Sequence, residues 1–267
     1  MKRRVGVSTD LAGLNRERMV AYREHGIEAI EVSVADVDYD GVDPVRVAQT
    51  ARDEGIEPWS FHLRFWPFEV YTVALSDEAA RERAVAYAAK WIRRAGEAGF
   101  RYAVIHPSGE PIGDADRESA MQASEKSLRT LAAVAREAGI ALAVENLPRT
   151  CLAKNSAELS RLIAVDPDLR VCFDTNHLLQ EPALDFMEAL RDRIVTLHVS
   201  DYDFINERHW LPGHGLQDWA AVMHKLDEIS YDGVLMYETR KTLTPDGEVH
   251  ILTPADYRAN ADWLESL

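Results

Sequence analysis

Six apolar runs in this chain stop at a residue able to bind a metal. They read Trp59-Ser-Phe-His62, Tyr102-Ala-Val-Ile-His106, Ala141-Leu-Ala-Val-Glu145, Val171-Cys-Phe-Asp174, Ile194-Val-Thr-Leu-His198 and Val234-Leu-Met-Tyr-Glu238. Short apolar runs set between helical patterns read as strands buried on both faces, the mark of a parallel sheet. An imidazole or carboxylate ending one such strand carries little information. Six at the same end of six strands imply side chains converging on one point. The simplest occupant of that point is a divalent metal ion with a substrate beside it.

The whole chain follows the same alternation. Strands are expected near residues 4–9, 29–34, 58–63, 102–106, 141–146, 169–174, 194–200 and 233–238. Helices are expected near 15–25, 44–54, 77–98, 116–138, from 156 onward, and near 183–191, 218–229 and 254–267. Asp77 and Thr253 stand where N-caps belong. Gly26, Gly55, Gly99 and Gly139 each stand between a helix and the next strand, where the chain must turn sharply. Eight right-handed crossovers in succession close a sheet on itself. No linker or composition break divides the 267 residues, so residues 1–267 read as a single (β/α)8 TIM barrel domain. The alternative, an open doubly wound sheet, wants a glycine-rich phosphate loop after strand one, and Ser8-Thr-Asp-Leu-Ala-Gly-Leu14 is not one.

Composition narrows the partners. A net charge of −15 repels nucleic acid and anionic lipid. No apolar run is long enough to span a membrane, and the N-terminus lacks a signal-peptide core. Two cysteines, Cys151 and Cys172, make no disulfide framework and suit a reducing cytoplasm. The expectation is a soluble cytoplasmic protein acting on a small molecule, without nucleic acid or membrane partners. A homo-oligomer is compatible with this pattern.

In a parallel barrel all strand C-termini lie on one face, so the six strand-end residues become neighbours. Two loops add to them: Asp174-Thr-Asn-His177 after strand six, and after strand seven His198-Val-Ser-Asp201 followed by Glu207-Arg-His209-Trp-Leu-Pro-Gly213-His-Gly215. This ordered set, from about strand three to strand eight, resembles the xylose-isomerase-like barrel superfamily. That group includes sugar and sugar phosphate isomerases, ketose 3-epimerases, related dehydratases and endonuclease IV.

The resemblance implies a ligand set. In the ketose 3-epimerase branch one divalent metal is held by Glu, Asp, His and Glu, which by motif fall on Glu145, Asp174, His198 and Glu238. An oxygen-rich set of this kind favours Mn²⁺, with Mg²⁺, Co²⁺ and Zn²⁺ as alternatives. By the same resemblance Glu145 and Glu238 flank the reacting carbon and His177 contacts substrate. The implied chemistry removes a proton beside a carbonyl and returns one through an enediolate that the metal stabilises. In endonuclease IV the framework carries three zinc ions, and His62, His106, His177, Glu207 and His209 are candidates for the extra ligands. Glu207 replaces the aspartate of that family.

Other readings stand beside these. A single strand-end histidine is commonly a hydrogen-bonded wall residue. Within the set, His62, His106, His177, Arg208, His209 and Trp66 are assigned to substrate contact rather than to the metal. Glu207 is assigned to a supporting position or an additional metal. Asp201 either orients His198 or caps a turn. Arg64, Arg149, Lys154, Arg208 and Arg240 lie near the same face and either bind an anionic group on the substrate or balance the carboxylates. His25, His224 and His250 read as ordinary helix or loop residues, and Asp36, Asp38, Asp40 and Asp43 as solvated turn. Phe65-Trp66-Pro67-Phe68 follows a strand end and is placed to shield the pocket. Metal-dependent sugar isomerisation or epimerisation leads. The alternatives are a multi-zinc phosphodiesterase, a dehydratase or lyase acting on a keto acid, and a non-catalytic binding barrel.

Overall fold

Buried on both faces, the eight apolar runs have no need to alternate polar and apolar residues, and all eight form strands. The computed structural model describes residues 2–34, 36–239, 241–243 and 249–267. The strands are β1 (Arg4–Thr9), β2 (Ala29–Val32), β3 (Glu57–His62), β4 (Tyr102–Ile105), β5 (Ala141–Glu145), β6 (Arg170–Asp174), β7 (Ile194–His198) and β8 (Val234–Tyr237). They pair in parallel in the order β7-β6-β5-β4-β3-β2-β1-β8. The ring is completed between β7 and β8 by one parallel bridge, Val199 to Tyr237. There the Val199 N–H donates to Met236 O at 2.8 Å and the Glu238 N–H donates to Val199 O at 3.2 Å.

Helices wrap the outside: α1 (Arg16–Glu24), α2 (Pro44–Asp53), a short α3 (Phe68–Tyr71), α4 (Glu78–Glu97), α5 (Asp114–Glu137), α6 (Ser156–Ile163), α7 (Ala183–Ala189), α8 (Trp219–Glu228) and α9 (Pro254–Leu264). Asp77 caps α4 by accepting from the Ala80 N–H, and Thr253 with Asp256 forms a reciprocal capping box on α9. The four turn glycines adopt φ of 71°, 77°, 77° and 68°, the left-handed region a side chain disfavours. The sheet and helices bury one large core between them, while Ala29, Trp59, Val234 and Met236 fill the barrel floor.

Three features go beyond the strand-helix alternation. A hairpin of β9 (Lys241–Leu243) and β10 (Val249–Ile251) follows β8, with β10 exposed along its length. Two strands also carry an extra residue. The β2–β3 register moves from Ile30–Pro58 to Glu31–Ser60, and the β6–β7 register moves from Val171–Ile194 to Cys172–Thr196. An inserted residue re-aims every side chain beyond it. The two irregular strands are tied across the barrel by Trp59 Nε1, which donates to Thr196 Oγ1 at 3.0 Å. Among the described residues no helix is long and apolar enough to cross a membrane.

α4 and α5 pack closely because Gly96 has no side chain. A Cβ there would sit 2.4 Å from the carbonyl oxygen of Ala138. Alanine would gain about 1 kcal/mol of helix propensity over glycine, yet overpacking against fixed backbone costs about 1–3 kcal/mol. Gly96→Ala is therefore expected to lower the urea unfolding midpoint without changing the m-value. A higher midpoint would show that α5 yields freely.

Candidate metal centre

Parallel strands deliver their last residues to one face, and Glu145, Asp174, His198 and Glu238 meet there. One ligand-type atom from each lies within 4.8 Å of the others. His198 turns Nδ1 into the group, 3.2 Å from Glu145 Oε1, 3.3 Å from Glu238 Oε2 and 3.8 Å from Asp174 Oδ2. Asp174 is fixed from both sides. Asn146 Nδ2 donates to its carbonyl at 2.9 Å, its own N–H donates to Asn146 Oδ1 at 2.7 Å, and its Oδ1 accepts from the Asn176 N–H at 2.6 Å. Asp174 Oδ2 and Glu238 Oε2 are then buried without a hydrogen-bond partner among the described residues. Bare buried carboxylate oxygens are costly unless a cation meets them. Three carboxylates and an imidazole with two such oxygens fit a divalent ion.

Two further groups adjoin this one. Glu145 Oε2 lies 3.2 Å from Nε2 of both His62 and His106. His177, Glu207 and His209 form the other, with His177 Nε2 at 3.2 Å from Glu207 Oε2. A carbonyl oxygen only accepts, so it fixes which ring nitrogen carries the proton. His62 Nδ1 donates to Leu63 O at 2.9 Å, His177 Nδ1 to Asn146 O at 2.9 Å and His209 Nδ1 to Glu238 O at 3.1 Å. His62 Nε2 and His177 Nε2 then face Glu145 and Glu207. A fourth grouping is Glu145, Cys172 and His198, where burial pushes the Cys172 thiol well above its usual range.

Burial and neighbouring charge compete throughout the site. Burial would raise the Glu145 carboxyl, but the imidazoles of His198 and His106 outweigh it and hold the group well below its usual range. Glu238 is held at about 2 against the same burial, by His198 and His209. Asp174 goes the other way: burial raises it well above the usual carboxylate value, with Glu238 and Glu145 adding to the rise. Burial would depress His177, yet Asp174 and Glu145 raise it well above an ordinary imidazole.

A cavity of about 650 Å³ reaches the group at Glu238 and is lined among others by Ser8, Tyr39, His62, Phe65, Arg208, His209 and Lys241. A smaller one of about 190 Å³ shares His62, Phe65, His209 and Glu238 and adds Glu145, His106, His177 and Glu207. The sequence model of the xylose isomerase-like TIM barrel matches residues 20–267. The chain belongs to that family.

Relatives sharing the barrel are distant. An uncharacterised protein of Methanocaldococcus jannaschii is 25% identical over 227 residues, covering 81% of this chain and 76% of that one. Among solved structures, a D-tagatose 3-epimerase-like protein superposes with a TM-score of 0.82 at 21% identity, covering 98% of this chain and 96% of its own. The 3-keto-D-glucoside 4-epimerase of E. coli gives 0.77 at 19% identity over 100% of both chains. The D-psicose 3-epimerase of Clostridium cellulolyticum H10, solved with D-tagatose, gives 0.78 at 17% identity over 100% and 99%. At these identities the likeness establishes a shared fold.

The family frame leaves several residues to be placed. His62 and His106, expected as substrate contacts, turn their Nε2 atoms to Glu145 and complete a ligand-type group. Phe65 rather than Trp66 lines both cavities, stacked on His106 with ring centroids 4.1 Å apart. Trp66 is half exposed and packs on Phe68. Arg208 lines the larger cavity while its Nε donates to Asp203 Oδ2 at 2.7 Å. Arg64 lines it too. Arg149 pairs with Glu110 and, at 2.8 Å, with Glu207 Oε1. Arg240 lies outside the described residues. His209 and Arg149 hold positive φ values of 51° and 52°, a conformation costing on the order of 1–3 kcal/mol that the surroundings must impose. For His209 that anchor is Asn176 Oδ1, which accepts from the N–H groups of Arg208 and His209.

Asp201 caps the turn, and its carboxylate does not contact His198. It is fully buried and accepts from the N–H groups of Tyr202, Gly213, Gly215 and Gln217 and from Trp219 Nε1. A Cβ on Gly215 would lie 2.3 Å from Asp201 Oδ1, which explains that glycine. Sequence reasoning passed over Glu31, Asn146 and Asn176. Glu31 had a visible signal, a carboxylate inside an apolar run; the two asparagines had none. Replacing Asp201 by Ala strands several buried donors, each costing about 1–3 kcal/mol. Thermal unfolding should move down by several degrees, and limited proteolysis should open the 202–218 loop. An unchanged melting curve would remove Asp201 as the anchor.

Proposed function

We propose that this barrel is a metal-dependent sugar isomerase or epimerase that moves a proton on the carbon beside a carbonyl. The observation that carries the reading is the group of Glu145, Asp174, His198 and Glu238, with its two unpartnered buried carboxylate oxygens, which meets a cavity at Glu238. The names of the structural neighbours, sugar epimerases, support it. Mn²⁺ is the favoured ion for so oxygen-rich a set. When bound, it would supply a Lewis acid that stabilises negative charge on substrate oxygens.

The chain's own residues do the rest. Glu238 is 22% exposed in side chain and lines both cavities, so its carboxylate is placed to take a proton from substrate. Glu145 borders the smaller cavity and returns one from the other side. His177 and Arg208 hold substrate oxygens, and Phe65 shields the pocket from water. Cys151 and Cys172, both free and buried, suit a cytoplasmic setting.

A specific observation favours a second reading. Three ligand-type groups, two of them sharing Glu145, correspond to the three-zinc set that the resemblance to endonuclease IV implies, with Glu207 in place of its aspartate. The net charge of −15 opposes a nucleic-acid substrate. Metal analysis with activity assays separates the two: one ion with ketose turnover supports the first, three ions with cleavage of abasic DNA the second.

Asp174→Asn should bind Mn²⁺ at least tenfold more weakly in a titration of the purified protein. Undiminished binding would count against the four-residue group. Turnover of a ketose in D₂O should place deuterium on the carbon next to the carbonyl, and Glu238→Gln should lower that exchange at least a hundredfold. Turnover without solvent deuterium would point to a hydride shift instead.

A further inference from the structure

Among the histidines of the three groups, His62 and His177 are aimed by backbone carbonyls through Nδ1 and turn Nε2 to Glu145 and Glu207. His198 is reversed. Its Nδ1 faces Glu145, Asp174 and Glu238, and its Nε2 lies 3.0 and 3.1 Å from the two oxygens of Glu31. Glu31 comes from the middle of β2, is fully buried and belongs to none of the ligand groups. Ser60 Oγ donates to its Oε2 at 2.7 Å. A carboxylate so deep in a barrel is expensive unless it answers a specific donor.

The backbone is bent to make this contact. The extra residues on β3 and β7 fall just before Ser60 and Thr196, and Ser60 and His198 are the two residues that meet the Glu31 carboxylate. A neutral imidazole carries one proton, and a cation can take only the bare nitrogen. Three carboxylates crowd Nδ1 and attract a proton to the atom the ion needs. A carboxylate accepts and does not donate, so Glu31 draws the proton to Nε2.

We propose that Glu31 is a positioning residue that keeps the His198 proton on Nε2 and turns its Nδ1 lone pair into the group of Glu145, Asp174 and Glu238. The inference rests on the reading that this group holds a divalent ion. In Glu31→Gln the amide can face His198 with its NH₂, which selects the opposite tautomer. Mn²⁺ should then bind about 10–100-fold more weakly, with the circular dichroism spectrum unchanged. Ser60→Ala, which frees one Glu31 oxygen, should weaken binding less.

A second measurement needs no variant. In wild-type protein loaded with Mg²⁺ or Zn²⁺, long-range ¹H–¹⁵N correlation of the His198 ring should show Nε2 protonated and Nδ1 bare. A folded Glu31→Gln protein that binds Mn²⁺ as tightly as wild type overturns the role of Glu31 alone, whereas a proton on Nδ1 in the loaded protein removes His198 from the ion and overturns the role of Glu31 with it. Wild-type protein that takes up no Mn²⁺ overturns the ion reading, and the role of Glu31 with it.

Discussion

Negative charge gathered in a dry barrel mouth sets the terms for the surrounding structure. Glu31, Glu145, Asp174 and Glu238 stand close together with little access to water. Like charges in low dielectric repel strongly and lose hydration. Every nearby group answers that problem. His62, His106, His177 and His198 all turn a ring nitrogen to Glu145, and Asn176 gives its N–H to Asp174. Asp174 Oδ2 and Glu238 Oε2, which meet no hydrogen-bond donor among the described residues, mark where a cation belongs.

Holding this arrangement takes more than a regular barrel. An ideal strand alternates its side chains strictly, and the required layer of Ser60, Glu31 and His198 does not fit that rhythm. The extra residues on β3 and β7 supply the correction, and the Trp59–Thr196 hydrogen bond fixes the two irregular strands to each other. The loops are tied down as firmly. Asp201 gathers the Pro-Gly-His-Gly segment around one carboxylate, and Asn176 holds His209 in a left-handed conformation. Rigid second layers of this kind keep reacting groups at fixed distances.

The barrel and its polar face were legible because two signals recur along the chain: six apolar runs ending at a ligand-type residue, and four helices ending at glycine. Residues such as Gly26 and Gly139 mark the turns before any contact is known. The placement of Glu31 was hidden by the β3 irregularity, since an inserted residue changes which side chains meet while leaving the apolar run intact. The pairing of β9 with β10 was hidden for the opposite reason: β10 is exposed and carries no core pattern. The orientations of His62 and His106 depend on a backbone carbonyl and on Glu145, partners far apart in sequence or too local for spacing to reveal. Phe65 and Trp66 are adjacent, and it takes the fold to tell them apart: Phe65 stacks on His106 at the cavity while Trp66 packs on Phe68.

Seven of the eight strand junctions are multi-residue ladders, two of them with a register shift, whereas β7 and β8 meet through the single bridge at Val199. That junction is a seam, and His198 and Glu238 sit on its two lips, next to Val199 and Tyr237 in the chain. Anything gripped by both side chains acts as a rivet across the weakest joint of the cylinder. Occupancy of the mouth and integrity of the wall thus become one equilibrium. Amide protons of 199 and 238 would exchange more slowly when the rivet is in place, so the seam's own breathing would report what the mouth holds.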